Sequence, residues 1–497
     1  MNSEKLLLAI DQGTSGTKSL IFDETGKIHA KGSEPLRSYY PQPGYVEQNP
    51  EEIFQNVLAS VKLCLDQFIE KGGNTGKIIA CGISNQRETF VVWDEHGKAL
   101  YPAVVWQCKR SVGICERLEK EELGNEINQK TGLIIDPYFS GTKMIWLYEN
   151  VDRVKKAVDE GKAYFGTIDS WLLYKLTQGE KYYTDYTNAS RTLFFGLETL
   201  RWDRTLLEKI GLGRLNLPEP KPSSFTFGQT DFAGLMARPV QVTGMLGDSH
   251  AAAFGEGCHQ PGSAKATLGT GSSILWNVGA KPVFSRSGMV STVCWSTAGR
   301  VDYALEGIIV SCGATIEWLR NQLGILTDSK ETEKMAESVK DNHGVYLIPA
   351  FSGLGAPHWK MDARAMITGL TFGADKNHVV RAALESIPYQ IRDVVDAMEE
   401  ESGIALKEIN VDGGISVNRF VVQFLADLLK TRVINIGIPD VSALGAALMA
   451  GLGAGIYASP EQIKLSLPDT KSYVPGADQD LVERNYQGWK KMIKRLV

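Results

Sequence analysis

Long apolar runs are missing from this chain of 497 residues. Met1 to Lys5 is polar, and Leu6 to Ile10 is too short to serve as a signal or membrane-spanning segment. The seven cysteines (Cys64, Cys81, Cys108, Cys115, Cys258, Cys294 and Cys312) are scattered, odd in number and without a C-x-x-C pair. That pattern argues against a disulfide framework or a zinc site, and for free thiols in a reducing compartment. The seven histidines show no H-x-x-x-H or H-E-x-x-H spacing. No long basic run occurs and the formal net charge is −5, so nucleic acid is not the expected partner. Low-complexity tracts and long linkers are lacking as well. The expectation is a cytoplasmic protein with no membrane insertion.

The chain is 43% hydrophobic and 22% charged, an ordinary globular balance. Its length allows about two to four domains, each able to bury a core without staples. Leu6 to Ile10 reads as a buried strand running into the turn Asp11–Gln12–Gly13–Thr14–Ser15–Gly16–Thr17–Lys18, followed by Leu20 to Phe22 and the turn Asp23–Glu24–Thr25–Gly26. This predicts a hairpin, not the strand–loop–helix of a nucleotide P-loop. Pro50 to Ile69 places Ile53, Val57, Val61 and Leu65 on one helical face. Ile78 to Ile83 predicts a strand ending at Asn85–Gln86–Arg87–Glu88, and Thr89 to Trp93 another. Ser170 to Leu176 reads as a short helix and Asp185–Tyr186–Thr187–Asn188 as a polar loop.

Near residue 240 the pattern restarts. Val240 to Leu246 predicts a strand ending at Gly247–Asp248–Ser249–His250, with a small-residue helix starting over Ala251 to Phe254. Ala264 to Leu268, Gly269–Thr270–Gly271–Ser272–Ser273 and Ile274 to Asn277 repeat the opening strand–turn–strand scheme. The repetition suggests two related domains facing one cleft, divided near Gly255 into residues 1–254 and 255–497. Further on, Asn377 to Met398 reads as a long helix, and Ile409 to Val411 as a strand before Gly413–Gly414. Val441 to Ala450 is an Ala/Gly-rich helix suited to close packing.

Three glycine-rich strand ends in one chain point to a polyphosphate. The first turn offers backbone N–H groups, the hydroxyls of Thr14, Ser15 and Thr17, and the cation Lys18. Asp11 at the strand end is placed to hold Mg²⁺. The Gly269–Thr270–Gly271 turn is a second phosphate candidate, and Gly413–Gly414 would let an adenine ring approach the backbone. Phosphoryl transfer also needs a carboxylate beside the acceptor hydroxyl, and Asp248 is the candidate, although a lone Asp at a strand end is more often a turn or helix cap. His250 reads as structural. Arg87 and Glu88 are a donor and an acceptor suited to neighbouring hydroxyls, or else a solvated surface pair. Trp106 and Tyr138 could wall the carbon face of a polyol, or simply belong to the core.

With these residues in view, the chain resembles the FGGY carbohydrate kinases, and within them the glycerol-kinase branch, from about Leu6 to about Tyr457. The likeness is carried by Asn85–Gln86–Arg87–Glu88–Thr89, Val105–Trp106–Gln107–Cys108, Asp136 to Lys143, Asp185 to Thr192, Tyr303–Ala304–Leu305–Glu306–Gly307 and Pro349 to Pro357. Two signature-like stretches, Tyr138 to Asn150 and Ala365 to Glu385, agree with it. The resemblance implies an α/β, actin-like ATPase fold of two ribonuclease-H-like lobes with ATP in the interlobe cleft. It implies that Asp11, Thr14, Ser15 and Lys18 contact phosphates or metal, and that Thr270, Gly313, Gly414 and Asn418 line the nucleotide site. Arg87, Glu88, Trp106, Tyr138 and Asp248 would form the polyol site, with Asp248 as general base and second metal neighbour. The cofactors implied are ATP and Mg²⁺, the partner a small-molecule polyol or sugar, and the assembly a homodimer or homotetramer.

Some positions depart from that pattern. Ser249 stands where those enzymes usually carry Gln, Ser273 where they carry Phe, and Lys18 where they often carry Arg. Both serines look like substrate-pocket positions, and their small size would enlarge the pocket and make it more polar. Glycerol, phosphorylated to glycerol 3-phosphate, is the leading substrate, and a larger acceptor such as erythritol or xylulose is the alternative. A non-catalytic actin-like nucleotide-binding protein is the remote one. The stretch Asp231 to Arg238 does not match the basic loop that binds an allosteric sugar bisphosphate in some relatives, so no such inhibition is expected.

Overall fold

Leu6 to Ile10 is wholly buried and forms most of strand β1 (Leu6–Gln12), as its uninterrupted apolar run requires. The computed structural model describes residues 5–467 and 469–496. β1 folds back on β2 (Gly16–Asp23) as an antiparallel hairpin in register Gln12↔Thr17. β3 (Ile28–Pro35), helix α1 (Pro50–Glu70) and β4 (Ile78–Asn85) follow. Asn49 caps α1, its side chain accepting from Glu51 N at 2.9 Å, and Pro50 fills the first turn where no donor is needed. The expected face, Ile53, Val57, Val61 and Leu65, is the one α1 buries against β2 and β3.

Beyond β4 the chain builds an extra layer, a four-stranded sheet of Glu47–Gln48, Ala103–Val104, Phe90–Trp93 and Tyr164–Thr167, together with α2 (Ser140–Asn150). A four-residue helix, α3 (Tyr186–Ala189), then leads to β5 (Ser224–Thr230), β6 (Val240–Gly247) and α4 (Asp248–Gly255). The first main sheet has the order β5-β6-β4-β1-β2-β3, with β1, β4 and β6 parallel.

The second lobe repeats this plan. It contains β7 (Ser263–Leu268), β8 (Ser272–Gly279), β9 (Val290–Thr297), β10 (Arg300–Ile309), α5 (Gly313–Asn321) and α6 (Lys376–Ser402). β11 (Glu408–Asp412), α7 (Arg419–Leu429), β12 (Arg432–Asn435), α8 (Val441–Gly453) and β13 (Lys471–Tyr473) complete it. Its sheet has the order β9-β10-β8-β7-β11-β12-β13. The hairpin β7–β8, in register Leu268↔Ser272, occupies the place of β1–β2, and β7, β11 and β12 run parallel as β1, β4 and β6 do. Two ribonuclease-H-like lobes thus face one cleft, the actin-like arrangement.

Two expectations change. Asp185–Asn188 is not a polar loop: Asp185 caps α3, and Asp185, Thr187 and Asn188 are buried. The helix expected to begin at Ala251 starts at Asp248, so Asp248 occupies its first turn. In the first place polar residues that look like turn formers find buried hydrogen-bond partners distant in sequence. In the second the Asp248 side chain accepts from Ser249 N at 2.6 Å within the first turn of the helix.

α8 crosses over to lie under the first sheet, against β6, β4 and β1, and packs along α4. The contact is backbone on backbone. A Cβ on Gly445 would lie 1.7 Å from the Ala251 carbonyl oxygen, and one on Gly82 of β4 would lie 2.0 Å from that of Ala446. This explains the Ala/Gly composition of α8. Gly445→Ala is therefore expected to destabilise the protein by about 1–3 kcal/mol or more through overpacking. Gly299→Ala, where a Cβ meets nothing within 4 Å, should leave the melting temperature unchanged in the same calorimetric scan.

Candidate active site

The first glycine-rich turn closes with Gly13 N donating to Gly16 O at 2.9 Å. Gly16 has no room for a side chain, since a Cβ would sit 2.7 Å from Glu34 O. Ser15 is exposed at the tip. Thr14 faces inward: its Oγ1 accepts from Trp106 Nε1 at 2.9 Å and donates to Gln86 Oε1 at 3.3 Å. Asp11 accepts from Ser84 Oγ at 2.9 Å. Burial pushes its carboxyl up to about 6, the Ser84 bond and Lys18 opposing and the charge of Asp248 reinforcing the shift. Lys18 Nζ donates to Asp440 Oδ1 at 2.9 Å, and Lys31 Nζ to Asp440 Oδ2 at 2.6 Å. Asp440 stands immediately before α8. Burial would raise its carboxyl, but the two lysines hold it below the usual range.

Across the cleft, Gly269 N donates to Gly271 O at 3.0 Å, and Gly313 N to Gly269 O at 2.9 Å. The carbonyl of Thr270 accepts from Cys312 N at 2.9 Å and from Ala314 N at 3.1 Å, so the start of α5 is docked on this turn. Gly413 adopts φ 87°, and a Cβ there would lie 2.6 Å from Leu268 O. Asn418 caps α7, accepting from Val421 N at 3.2 Å, while its Nδ2 donates to Thr332 Oγ1 at 3.2 Å. Gly414 and Asn418 line a groove of about 360 Å³ with Ile316, Thr332 and Ile415.

Between the lobes lies a second cavity of about 550 Å³. Thr14, Arg87, Glu88, Trp106, Tyr138, Asp248, Ser249 and Ser273 all line it, together with Gly271 and Glu306. Every residue read from the sequence as a polyol contact is therefore brought to one place. Trp106 and Tyr138 pack edge to face with centroids 5.5 Å apart. Lys143, buried in α2, donates to the carbonyls of Pro137 at 2.7 Å and Tyr138 at 2.6 Å, fixing the loop that carries the tyrosine. Burial pushes its amine down to about 7. Glu88 holds φ 60°, a left-handed backbone uncommon for a side-chain-bearing residue.

Beneath this cavity lies a buried cluster of four charges. Arg87 Nη2 donates to Glu306 Oε1 at 2.8 Å and Nη1 to Oε2 at 3.2 Å, a bidentate pair across the lobes. Arg191 Nε donates to Glu88 Oε1 at 2.6 Å, and its Nη2 lies 2.7 Å from Glu306 Oε2. Ser273 Oγ also donates to Glu306 Oε1, at 2.8 Å. Burial alone would raise the Glu306 carboxyl, but Arg191 and Arg87 hold it well below the carboxylate range. For Glu88 burial wins over Arg191 and Arg87, and its carboxyl is raised. Arg87 Nε reaches Asp248 Oδ1 at 3.4 Å, and Ser249 N donates to the same oxygen at 2.6 Å.

Sequence reasoning assigned no role to Glu306, Arg191, Asp440 or Lys143. The one signal for Glu306 was a lone acid inside the apolar run Tyr303 to Val310. Asp440 had none, because its partner Lys18 is 422 residues away.

Residues 6–255 match the N-terminal domain of the FGGY family of carbohydrate kinases, and residues 264–454 its C-terminal domain. The chain is 44% identical over 493 residues to a glycerol kinase of Thermoanaerobacter sp. (strain X514), covering 99% of this chain and 98% of that protein. It is 43% identical over 494 residues to a glycerol kinase of Shewanella halifaxensis, covering 99% of each. The crystal structure of Plasmodium falciparum glycerol kinase with ADP superimposes with a TM-score of 0.93 at 33% identity, covering 99% of this chain and 98% of that one. A xylulose kinase of Lactobacillus acidophilus gives a TM-score of 0.88 at 21% identity over 99% of this chain and 98% of that one, a likeness of fold alone.

Glu306→Gln would leave two buried arginines with Glu88 as the one buried carboxylate of the cluster, an excess of positive charge. The expected loss is about 3–5 kcal/mol of unfolding free energy, read from the urea midpoint. A variant as stable as the parent would show that the cluster is not what joins the lobes.

Proposed function

This chain belongs to the FGGY family of carbohydrate kinases, and on that premise we propose that it transfers the γ-phosphoryl group of ATP to a terminal hydroxyl of glycerol, giving glycerol 3-phosphate and ADP. The observation that carries the reading is the convergence of Asp248 with Arg87, Glu88, Trp106 and Tyr138 in one cleft, with Thr14 of the first turn and Gly271 of the second on its walls.

The roles follow from the contacts. Asp248 takes the proton of the attacking hydroxyl as its oxygen bonds to the γ-phosphorus and ADP leaves. Arg87 keeps donors beyond those engaged by Glu306, and Arg191 takes only one oxygen of Glu88. The pair therefore offers a donor and an acceptor to the remaining hydroxyls, while Trp106 and Tyr138 cover the carbon face. Thr14, Ser15, Lys18 and Thr270 address the phosphates, and Gly313, Gly414 and Asn418 the nucleoside. Asp11 and Asp248 suit Mg²⁺, which accepts one or two carboxylates and completes its shell with phosphates and water. Their mutual charge is what such an ion would offset. Bound there, Mg²⁺ would neutralise charge on the phosphates.

In this reading residues 1–254 carry the polyol site and phosphate hairpin, and residues 255–497 the nucleotide site. The enzyme works in the cytoplasm, in keeping with seven buried, unpaired cysteines, as a homodimer or homotetramer. Among the described residues no helix is long and apolar enough to cross a membrane.

A larger acceptor is the second reading, favoured by Ser249 and Ser273 on the cavity wall. Coupled ADP release against glycerol, dihydroxyacetone, erythritol, xylitol, D-xylulose and D-ribulose separates the two. Glycerol is expected to show the highest kcat/KM, whereas a maximum on a four- or five-carbon acceptor would replace it. No acceptor-dependent turnover at all would leave only nucleotide binding. Asp248→Asn should retain ATP affinity and lose about 10²–10⁴-fold in kcat. Parental turnover in that variant would remove Asp248 from the role of base.

A further inference from the structure

We infer that Thr187 is a positioning residue for Asp248: it grips the peptide on which that carboxylate is mounted. The inference rests on the reading of Asp248 as the general base.

Asp248 projects into the cleft from the first turn of α4, with its side chain 39% exposed. Its carboxylate contacts, Ser249 N and Arg87, orient the group but do not anchor the main chain beneath it. The anchor is at Gly247. That residue cannot carry a side chain, because a Cβ would lie 2.5 Å from Cγ of Arg87. Its N–H is the available handle, and it donates to Thr187 Oγ1 at 2.9 Å.

The polarity of this bond is fixed from the other side. A threonine hydroxyl has one proton, and that of Thr187 goes to Asp185 Oδ1 at 2.9 Å. Its lone pairs are thereby left to Gly247. Asp185 is in turn held by Thr187 N, Asn188 N and Asn188 Nδ2 at 2.9 Å each and by Ser223 Oγ at 2.8 Å. The chain N–H to hydroxyl to carboxyl oxygen therefore runs one way and ends on Asp185, whose carboxyl is held by four further donors and is pushed up to about 7 by burial and the charge of Asp169. Thr187 is fully buried, and a β-branched side chain has few rotamers. Neither Thr187 nor Asp185 lines the cavity, so an effect on transfer is indirect, and the direct route from the Thr187 hydroxyl is the peptide of Gly247 and Asp248. A displacement of about 1 Å at a reacting group can cost roughly 10²-fold in rate.

The test compares Thr187→Val, which keeps the shape and removes the acceptor, with Thr187→Ser, which keeps the hydroxyl. Asp248→Asn and the double variant Thr187→Val/Asp248→Asn are measured alongside. Thr187→Val is expected to lower kcat by about 10–100-fold while the Kd for ATP, from isothermal titration, stays at the parental value. Thr187→Ser should restore most of the turnover. Adding Thr187→Val to Asp248→Asn should cost nothing further, because the hydroxyl acts through the carboxylate already removed. An additive loss in the double variant, or parental kcat in Thr187→Val, would overturn the inference. So would failure of both Thr187→Val and Thr187→Ala to fold, which would assign the hydroxyl to the scaffold alone. If Asp248→Asn itself turns over like the parent, it is the reading of the base that fails.

Discussion

Glu306 holds two arginines at once, and much of the site is arranged around that fact. Arg87, Arg191, Glu88 and Glu306 are all almost without exposure. Four charges can remain in such a place because they balance and pair with one another, although Nη1 and Nη2 of Arg191 are left without a hydrogen-bond acceptor. Each pairing then constrains the next. Arg87 cannot turn away from the cleft without abandoning Glu306, and Glu88 cannot relax its left-handed backbone without releasing Arg191. Ser273 joins the same oxygen as Arg87. The wall it forms is thus held polar by Glu306 rather than being a simple vacancy where a larger side chain could stand.

The second constraint is the crossing of α4 and α8. Each starts at the cleft and passes beneath the lobes, and they touch through glycine, with no side chain between them. Both present an acid at the cleft end, Asp248 in the first turn of α4 and Asp440 just before α8. Their surroundings differ. Asp440 is nearly buried and neutralised by Lys18 and Lys31, whereas Asp248 is open to the cleft with one arginine at a longer distance. A carboxylate already matched by two cations at close range has no oxygen to offer a hydroxyl in the cleft, whereas one that lines the cavity can reach it. The proposal of Asp248 as base is supported by that difference in environment.

Local pattern was enough for part of this. The hairpin turn, the buried face of α1 and the small-residue character of α8 depend on residues near each other in sequence. The approach of Asp11, Arg87, Glu88 and Asp248 to one cleft could be expected because each ends a strand of one parallel sheet or follows it directly. The segment 185–188 was misread for a definite reason. Asp, Thr and Asn favour turns when their partners are local, but here the partners include Asn85, Ser223 and Gly247, supplied by tertiary structure. Nothing in the composition of a polar tetrapeptide distinguishes solvent from such a set of donors. The same limit applies to Asp440 and to the carboxylate shared by Arg87 and Arg191.

The distribution of these bonds between lobes is uneven. At the polyol end the first lobe is stitched to the second by Arg87 and Arg191 on Glu306, by Ser190 with Thr292 at 2.8 Å and by Ser223 N donating to Ser296 Oγ at 2.8 Å. At the phosphate end no hydrogen bond among the described residues joins the turn of Gly13 to Ser15 with that of Gly269 to Gly271. Beside the first of these turns the lobes are joined by charge instead: Lys18 and Lys31 both reach the buried carboxylate of Asp440, at 2.9 Å and 2.6 Å, so each end of the cleft is held by ion pairs between the lobes.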